Sequence, residues 1–153
     1  MRLPWQKRKL GLLAFVALLA LIASAEAASV GWSAASKWRL YDVQPNRLYD
    51  VGQGYAYNPG DSPQCYVMDV GYIYNQPEKR PPEGWLRFSP GEFCLEGGQG
   101  VLVDIDLYVD PAIKIDGGLK GDYFAFIGPC TASEAGVSIG ACAASRLYFT
   151  VGK

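Results

Sequence analysis

Residues 85–109, WLRFSPGEFCLEGGQGVLVDIDLYV, decide the fold of this chain. The last part of the stretch alternates between apolar and mostly polar residues, and its apolar face is Val101, Val103, Ile105, Leu107 and Val109. A period of two sustained over residues 101–109 is typical of a half-buried β-strand. Before it, Ser89-Pro90-Gly91 and Gly97-Gly98-Gln99-Gly100 bound two short apolar runs, because proline fixes φ and glycine permits positive φ. The stretch therefore predicts two short strands and one long strand joined by turns, a pattern typical of a β-sandwich.

Three further segments carry strand patterns. One has an apolar, tyrosine-rich face that we expect to point inward: Tyr66, Met68, Val70, Tyr72 and Tyr74. Residues 121–127 are nearly all apolar and predict a central strand. Near the end, Leu147, Phe149 and Val151 alternate with polar neighbours and define a core face. Because no long segment has a period of 3.6, the predicted class is an all-β, antiparallel β-sandwich.

The first 27 residues predict a secretory signal peptide. Basic residues occupy positions 2 and 7–9, residues 10–23 are apolar or glycine, and Ala25-Glu26-Ala27 fits the small-x-small cleavage pattern. The apolar core is shorter than the roughly 20 residues that a membrane-spanning helix needs. We therefore expect a signal peptide over 1–27, a flexible leader over 28–36, a β-sandwich domain over 37–153, and no membrane span after cleavage.

Charge and residue usage exclude several function classes. The whole chain has 14 basic and 15 acidic residues, and removing residues 1–27 leaves 10 basic and 14 acidic ones, a net charge near −4. Nucleic-acid binding needs a basic surface, so this balance argues against it. The sequence contains no histidine, which excludes Ser-His-Asp and Cys-His sites and histidine-ligated zinc. We expect no catalytic residue and no cofactor.

The cysteines are Cys65, Cys94, Cys130 and Cys142, and all of them follow the signal peptide. An even number in an exported chain predicts two disulfides, and no C-x-x-C pair suggests a metal site. Three pairings are possible. We favour Cys65–Cys94 with Cys130–Cys142, because the second bridge closes a loop rich in glycine, serine and alanine.

Two local features allow alternative interpretations. The pentapeptide RLYDV at 39–43 recurs at 47–51. We favour one edge segment kinked at Pro45-Asn46, with a small hairpin around Gln44-Pro45-Asn46 as the alternative. The proline-rich residues 75–84 form an exposed connection, for which a stiff spacer is favoured over a binding loop.

Acidic residues near the long strand offer a candidate for chemistry. Asp104 and Asp106 lie on one strand face, as the paired carboxylates of a glycosidase would. We favour a solvated outer face, since polar residues normally alternate outward. Together with Asp110 these residues leave calcium binding open, although no D-x-D-x-D-G loop supports it.

The order of the motifs resembles that of a known group of domains. W-x-x-F-x-P-x-x-F-x-L-x-x-G over 85–98, V-D-P at 109–111, G-x-Y-x-A-x-I at 121–127 and the terminal LYFTV are similar to immunoglobulin-like β-sandwich modules of exported bacterial and archaeal surface proteins. The resemblance covers about residues 64–151. It implies core positions at Trp85, Phe88, Phe93 and Leu95, an extracytoplasmic structural or adhesive role, and no catalytic residues. The four cysteines and the insertion between Gly128 and Gly136 depart from that pattern.

We therefore expect a non-catalytic, exported structural or binding module at the cell surface or in the extracellular space. Its partners would be other surface proteins, itself or a glycan. The alternative is a subunit of an extracellular fibre or pilus assembled by β-strand addition, with residues 28–36 as the inserted strand. A more distant alternative is a carbohydrate-binding or carbohydrate-active protein whose exposed tyrosines, with Trp32 or Trp38, stack on sugars.

Cleavage of the signal peptide is directly testable. We expect the intact mass of the secreted protein to correspond to a chain that starts at Ala28, because cleavage follows the Ala25-Glu26-Ala27 pattern. A secreted chain that still starts near Met1 would contradict this prediction.

Overall fold

The computed structural model describes residues 29–132 and 140–152, in which the chain forms nine strands and no helix. The strands are β1 Gly31–Ser33, β2 Lys37–Val43, β3 Leu48–Tyr57, β4 Gln64–Gly71, β5 Leu86–Ser89, β6 Glu92–Leu95, β7 Gly100–Tyr108, β8 Gly121–Thr131 and β9 Ser145–Val151. The predicted signal peptide lies outside these residues.

The strands form two sheets that make an immunoglobulin-like β-sandwich. The four-stranded sheet has the order β1-β3-β7-β5, and the five-stranded sheet has the order β2-β9-β8-β4-β6. All pairings are antiparallel except that of β2 with β9, which is parallel. The fold is the expected immunoglobulin-like β-sandwich, with one parallel pair at the β2 edge of its five-stranded sheet.

The core consists of the alternating faces that the sequence predicts. Residues Val103, Ile105, Leu107 and Val109 are fully buried, and so are Tyr123, Ala125, Ile127 and Leu147. Strand β8 lies between β9 and β4, which confirms its predicted central position. Of the core positions implied by the resemblance, Trp85 and Leu95 are buried, whereas Phe88 and Phe93 are partly buried. Apolar burial of this kind stabilises a fold by about 25 cal/mol per Å².

The tyrosine-rich face of the predicted long strand is shorter than expected. Tyr66 and Met68 point inward and are buried, but β4 ends at Gly71. Beyond that end, Tyr72 donates its hydroxyl to the Glu78 carbonyl at 2.7 Å, and Tyr74 is 79% exposed. The alternating sequence pattern continues to Tyr74, but β4 has no partner strand beyond Gly71. The predicted inward face is therefore too long by Tyr72 and Tyr74.

The leader predicted to be flexible contains β1. Strand β1 pairs with the end of β3, and the indole ring of Trp32 lies directly against Gly54, where a Cβ atom would clash with it. The Trp32 indole N–H donates to the Ser145 hydroxyl at 3.0 Å, and the Tyr66 hydroxyl donates to the Ser29 carbonyl at 3.0 Å. The prediction of a flexible leader is therefore wrong for these residues. One large ring with two distant partners is enough to hold the segment.

The repeated pentapeptide neither forms a hairpin nor stays on one edge. Its first copy lies in β2, and its second copy lies in β3 except for Arg47, which precedes that strand; β2 and β3 belong to different sheets. The chain crosses between the sheets near Pro45, and the positive φ values of Asp42 (54°) and Asn46 (60°) turn it there. Both interpretations drawn from the sequence are wrong, because identical segments here pair with different strands.

Both disulfides have the favoured pairing. Cys65–Cys94 joins the paired strands β4 and β6, and Cys130–Cys142 closes the connection between β8 and β9. Each bridge stabilises a fold by about 2–4 kcal/mol, mainly by restricting the unfolded chain. The bridges hold the short edge strand β6 and the end of the β8–β9 hairpin.

Substitution of Trp32 tests the role of β1. We expect Trp32→Phe to lower the free energy of unfolding by about 1 kcal/mol, because it removes the hydrogen bond to Ser145 and keeps most of the packing. Trp32→Ala should cost about 3 kcal/mol, because it also removes the ring from Gly54. Urea unfolding of the mature protein measures both values. Wild-type stability in both variants would show that β1 contributes nothing to the fold.

Alkaline unfolding tests the buried tyrosine at the centre of the core. Burial raises the pKa of Tyr123, whose hydroxyl donates to the Leu119 carbonyl at 2.7 Å. A raised pKa favours the neutral form, so its contribution to stability is complete below about pH 10 and is lost as the pH rises through the folded-state pKa. We expect Tyr123→Phe to weaken the loss of stability above about pH 10. Tyr74→Phe, at an exposed position, is the control, and an equal effect of both substitutions would contradict the assignment.

Candidate functional site

A groove opens along one side of the sandwich, between β4 of one sheet and β5 of the other. We call it the edge groove, and its lining residues are Met68, Asp69, Val70, Arg80, Pro81, Pro82, Glu83, Gly84, Leu86 and Phe88. Its floor is apolar, with Met68 and Leu86 buried and Val70 and Phe88 partly buried, while Arg80 and Glu83 are placed along the rim.

The groove exists because both sheets end early at this corner. Strand β6 covers β4 only over Gln64 to Val67, and the next contact is the Met68 amide donating to the Gly91 carbonyl at 2.8 Å. Strand β5 is the last strand of its own sheet. The chain leaves β5 for β6 in the opposite sheet, so within the described part of the chain no strand pairs with the second edge of β5.

The hydrogen bonds of β5 show which main-chain groups face the groove. The Tyr108 amide donates to the Trp85 carbonyl at 2.8 Å, so Trp85 faces β7. Because main-chain groups alternate sides along an antiparallel strand, Arg87 and Ser89 also face β7. The N–H and C=O groups of Leu86 and Phe88 therefore point away from β7, and within residues 29–132 and 140–152 they have no hydrogen-bond partner.

This arrangement suits one kind of ligand. An open strand edge offers donors and acceptors at the spacing of another strand, and the apolar floor beside it accepts alternate side chains. A strand added at β5 would become the fifth strand of the four-stranded sheet. The geometry thus matches an extended polypeptide with apolar residues at every second position.

The acidic residues singled out from the sequence lie elsewhere. Asp104 and Asp106 are on the outer face of the four-stranded sheet, where the Gln53 side-chain amide donates to Asp104 at 2.6 Å. Asp110 follows the end of β7 and accepts a hydrogen bond from the Ala112 amide at 2.9 Å. In the residues that the structure describes, no group of three or more histidine, cysteine, aspartate or glutamate side chains is arranged to hold a metal ion.

The aromatic residues considered for sugar stacking are divided by the fold. Trp32 and Trp38 are partly buried against the core. Tyr55 and Tyr57 lie on the outer face of the four-stranded sheet, 41% and 39% exposed, with their ring centroids 6.3 Å apart. The two tryptophans therefore do not join the exposed tyrosines in one surface.

Sequence reasoning missed the edge groove. The proline-rich connection predicted as a spacer supplies Pro81, Pro82 and Gly84 to its wall. The signals present in the sequence were this connection and the two short apolar runs that follow it. The main-chain groups of Leu86 and Phe88 left no signal, since their direction depends on the strand that pairs with β5.

Comparison with known proteins identifies the fold. No protein-family model and no curated protein sequence matches the chain. A PapD-like domain of human CEP192 superposes with a TM-score of 0.54 at 14% identity, over 82% of this chain and 86% of that domain. A chain of a chaperone–tip adhesin complex of CFA/I fimbriae biogenesis gives 0.51 at 14% identity, and the periplasmic chaperone SfaE gives 0.50 at 10% identity.

The chain therefore has an immunoglobulin-like β-sandwich fold of the kind seen in these structures. It covers 57% of the chain from the chaperone–tip adhesin complex and 59% of SfaE, less than two thirds of their length. Among the described residues there is no helix long and apolar enough to cross a membrane.

Proline substitutions test the direction of the β5 main chain. Arg87→Pro should lower the free energy of unfolding by about 3 kcal/mol relative to Arg87→Ala, because it removes an N–H that faces β7. Phe88→Pro should differ from Phe88→Ala by less than about 1 kcal/mol, because proline is tolerated where the N–H faces outward. Urea unfolding compares the two pairs. Equal penalties at both positions would contradict the open edge.

Proposed function

We propose that this chain is an exported, non-catalytic binding module that takes up an extended segment of a surface-fibre polypeptide. The segment adds as a strand to the free edge of β5 and places alternate side chains in the edge groove. The observation that carries the proposal is the combination of unpaired Leu86 and Phe88 main-chain groups with an apolar floor.

Two further observations support an extracytoplasmic role in fibre assembly. Both pairs of cysteines form disulfides, which persist in oxidising compartments outside the cytoplasm. Two structures of similar fold are a periplasmic chaperone and a chaperone–adhesin complex of fimbriae biogenesis. The second structure is a complex of a chaperone with a tip adhesin, and this chain has a groove that is suited to an extended segment of such a partner.

The second candidate is a fibre subunit built from copies of this chain. The observation that favours it is that β1 is only three residues long and lies at a sheet edge close to the mature N-terminus. A short edge strand can exchange between copies as a domain swap. Against it, Trp32 of β1 already packs on Gly54 of its own chain, so we expect the isolated mature protein to be a monomer in light scattering.

A photo-crosslinking experiment tests the proposal. The photoreactive amino acid p-benzoylphenylalanine replaces Phe88 in the groove, or Tyr74 at an exposed control position, in cells that make the protein. We expect position 88 to form adducts with an exported polypeptide, and mass spectrometry should place them in a segment with alternating apolar residues.

The outcome separates the two candidates. Adducts at position 88 with a second copy of the chain would show that the groove joins copies of this chain, which would support a fibre subunit assembled through β5 and not through exchange of β1. Equal adducts at positions 74 and 88, or none at 88, would contradict binding in the edge groove.

A further inference from the structure

Three cationic side chains cluster at the edge of the five-stranded sheet where β2 pairs with β9. This edge is at the end of the sheet away from the edge groove. Lys37 stands directly across from Arg146, and Arg39 stands across from Tyr148. All three cationic side chains are exposed. The Lys37 ammonium and the Arg39 guanidinium lie 4.7 and 5.2 Å from the centroid of the Tyr148 ring. We call these three residues the basic edge.

The basic edge is unfavourable for the free protein. Like charges directly across two strands repel each other and destabilise the pairing. None of the three cations forms an ion pair with a residue in the described ranges 29–132 and 140–152. The shared tyrosine ring offsets part of this repulsion. The mature chain is acidic, so a cation cluster does not follow from its overall composition.

The same residues carry an open strand edge. The Arg146 amide donates to the Ser36 carbonyl at 3.2 Å, which sets the side that each residue of β2 faces. Ser36, Trp38 and Leu40 face β9, and the main-chain groups of Lys37 and Arg39 therefore point outward. Strand β2 is the last strand of its sheet, and the regular register ends at a shift between Leu40 and Val43.

From this coincidence of charge and strand edge, we propose that β2 binds an extended acidic segment of another polypeptide. The segment adds as a strand beside β2, and carboxylates at alternate positions lie next to Lys37 and Arg39. Main-chain donors and acceptors at strand spacing are matched by another peptide backbone, and not by a polysaccharide.

A peptide-binding measurement tests the proposal on the secreted protein. The probe is a fluorescein-labelled nine-residue peptide that alternates glutamate with valine. The control is a neutral peptide with glutamine in place of each glutamate. We expect fluorescence anisotropy to show binding of the acidic peptide and about tenfold weaker binding of the neutral control peptide. The difference between the two affinities should disappear at high salt.

Two variants of one position separate charge from strand addition. Arg39→Gln removes the charge and should weaken acidic-peptide binding by about tenfold. Arg39→Pro removes the same charge together with the outward N–H, and should weaken binding further while leaving the pairing with β9 intact. Equal affinities of the two variants would overturn strand addition. Polygalacturonate serves as the alternative polyanion, and tighter binding of it than of the peptide would also overturn the proposal.

Lys37→Glu provides a second, independent readout. It replaces a like-charge pair with an attractive one, so we expect a higher Tm for the free protein together with weaker binding of the acidic peptide. A lower or unchanged Tm would show that the cations of the basic edge do not destabilise the free protein. Unchanged affinity would show that they do not bind the acidic peptide. Either result would overturn the proposal. Phe88→Pro in the edge groove should leave this binding unchanged, which separates the inference from the proposed function.

Discussion

The ring cluster of Trp85, Tyr123 and Phe149 is the contact on which the rest of the structure depends. Tyr123 and Phe149 stack with centroids 4.9 Å apart, and Trp85 lies 5.3 Å from Tyr123. Trp85 precedes β5 of one sheet, whereas its partners belong to adjacent strands of the other. The same residue accepts the Tyr108 amide through its carbonyl, so the core ring also fixes β5 against β7. Within the described residues its buried indole N–H has no hydrogen-bond partner, a cost of about 1–3 kcal/mol that ring packing must offset.

Crossings between the sheets determine where strand edges remain open. The chain changes sheet at every connection between consecutive strands except that between β8 and β9. Three of the four edge strands, β1, β5 and β6, are only three or four residues long, which limits uncontrolled association because short edges pair poorly with other chains. The outer main-chain groups of an edge strand have no partner strand. The same topology therefore has two effects: it keeps the edge strands short, which limits aggregation, and it leaves short rows of main-chain groups that can accept another strand.

Features that depend on local alternation can be predicted from the sequence, whereas features that depend on a contact with a distant residue cannot. The core faces of β7, β8 and β9 follow from period two, since a buried face has the same pattern whichever strand lies beside it. The role of Trp32 depends on Gly54 and on Ser145, which lies 113 residues away, so no local pattern marks β1 as a strand. The edge groove depends on hydrogen-bond direction along β5, and neither composition nor periodicity contains that information.

Charge gives the two open edges different preferences. On the outer face of the five-stranded sheet, Lys37, Arg39 and Arg146 lie at the β2 end, whereas the exposed Asp122, Asp69 and Glu92 follow on β8, β4 and β6. Under the two proposals, an acidic segment is attracted to the β2 edge and disfavoured at the edge groove, whose lining has two carboxylates, Asp69 and Glu83, and one cation, Arg80. A segment that binds the groove is then expected to be apolar at alternate positions and neutral or basic elsewhere. Repulsion between like charges can exclude one segment from an edge, just as favourable contacts bind the other. A single sandwich could therefore direct an acidic segment to the β2 edge and an apolar segment to the edge groove.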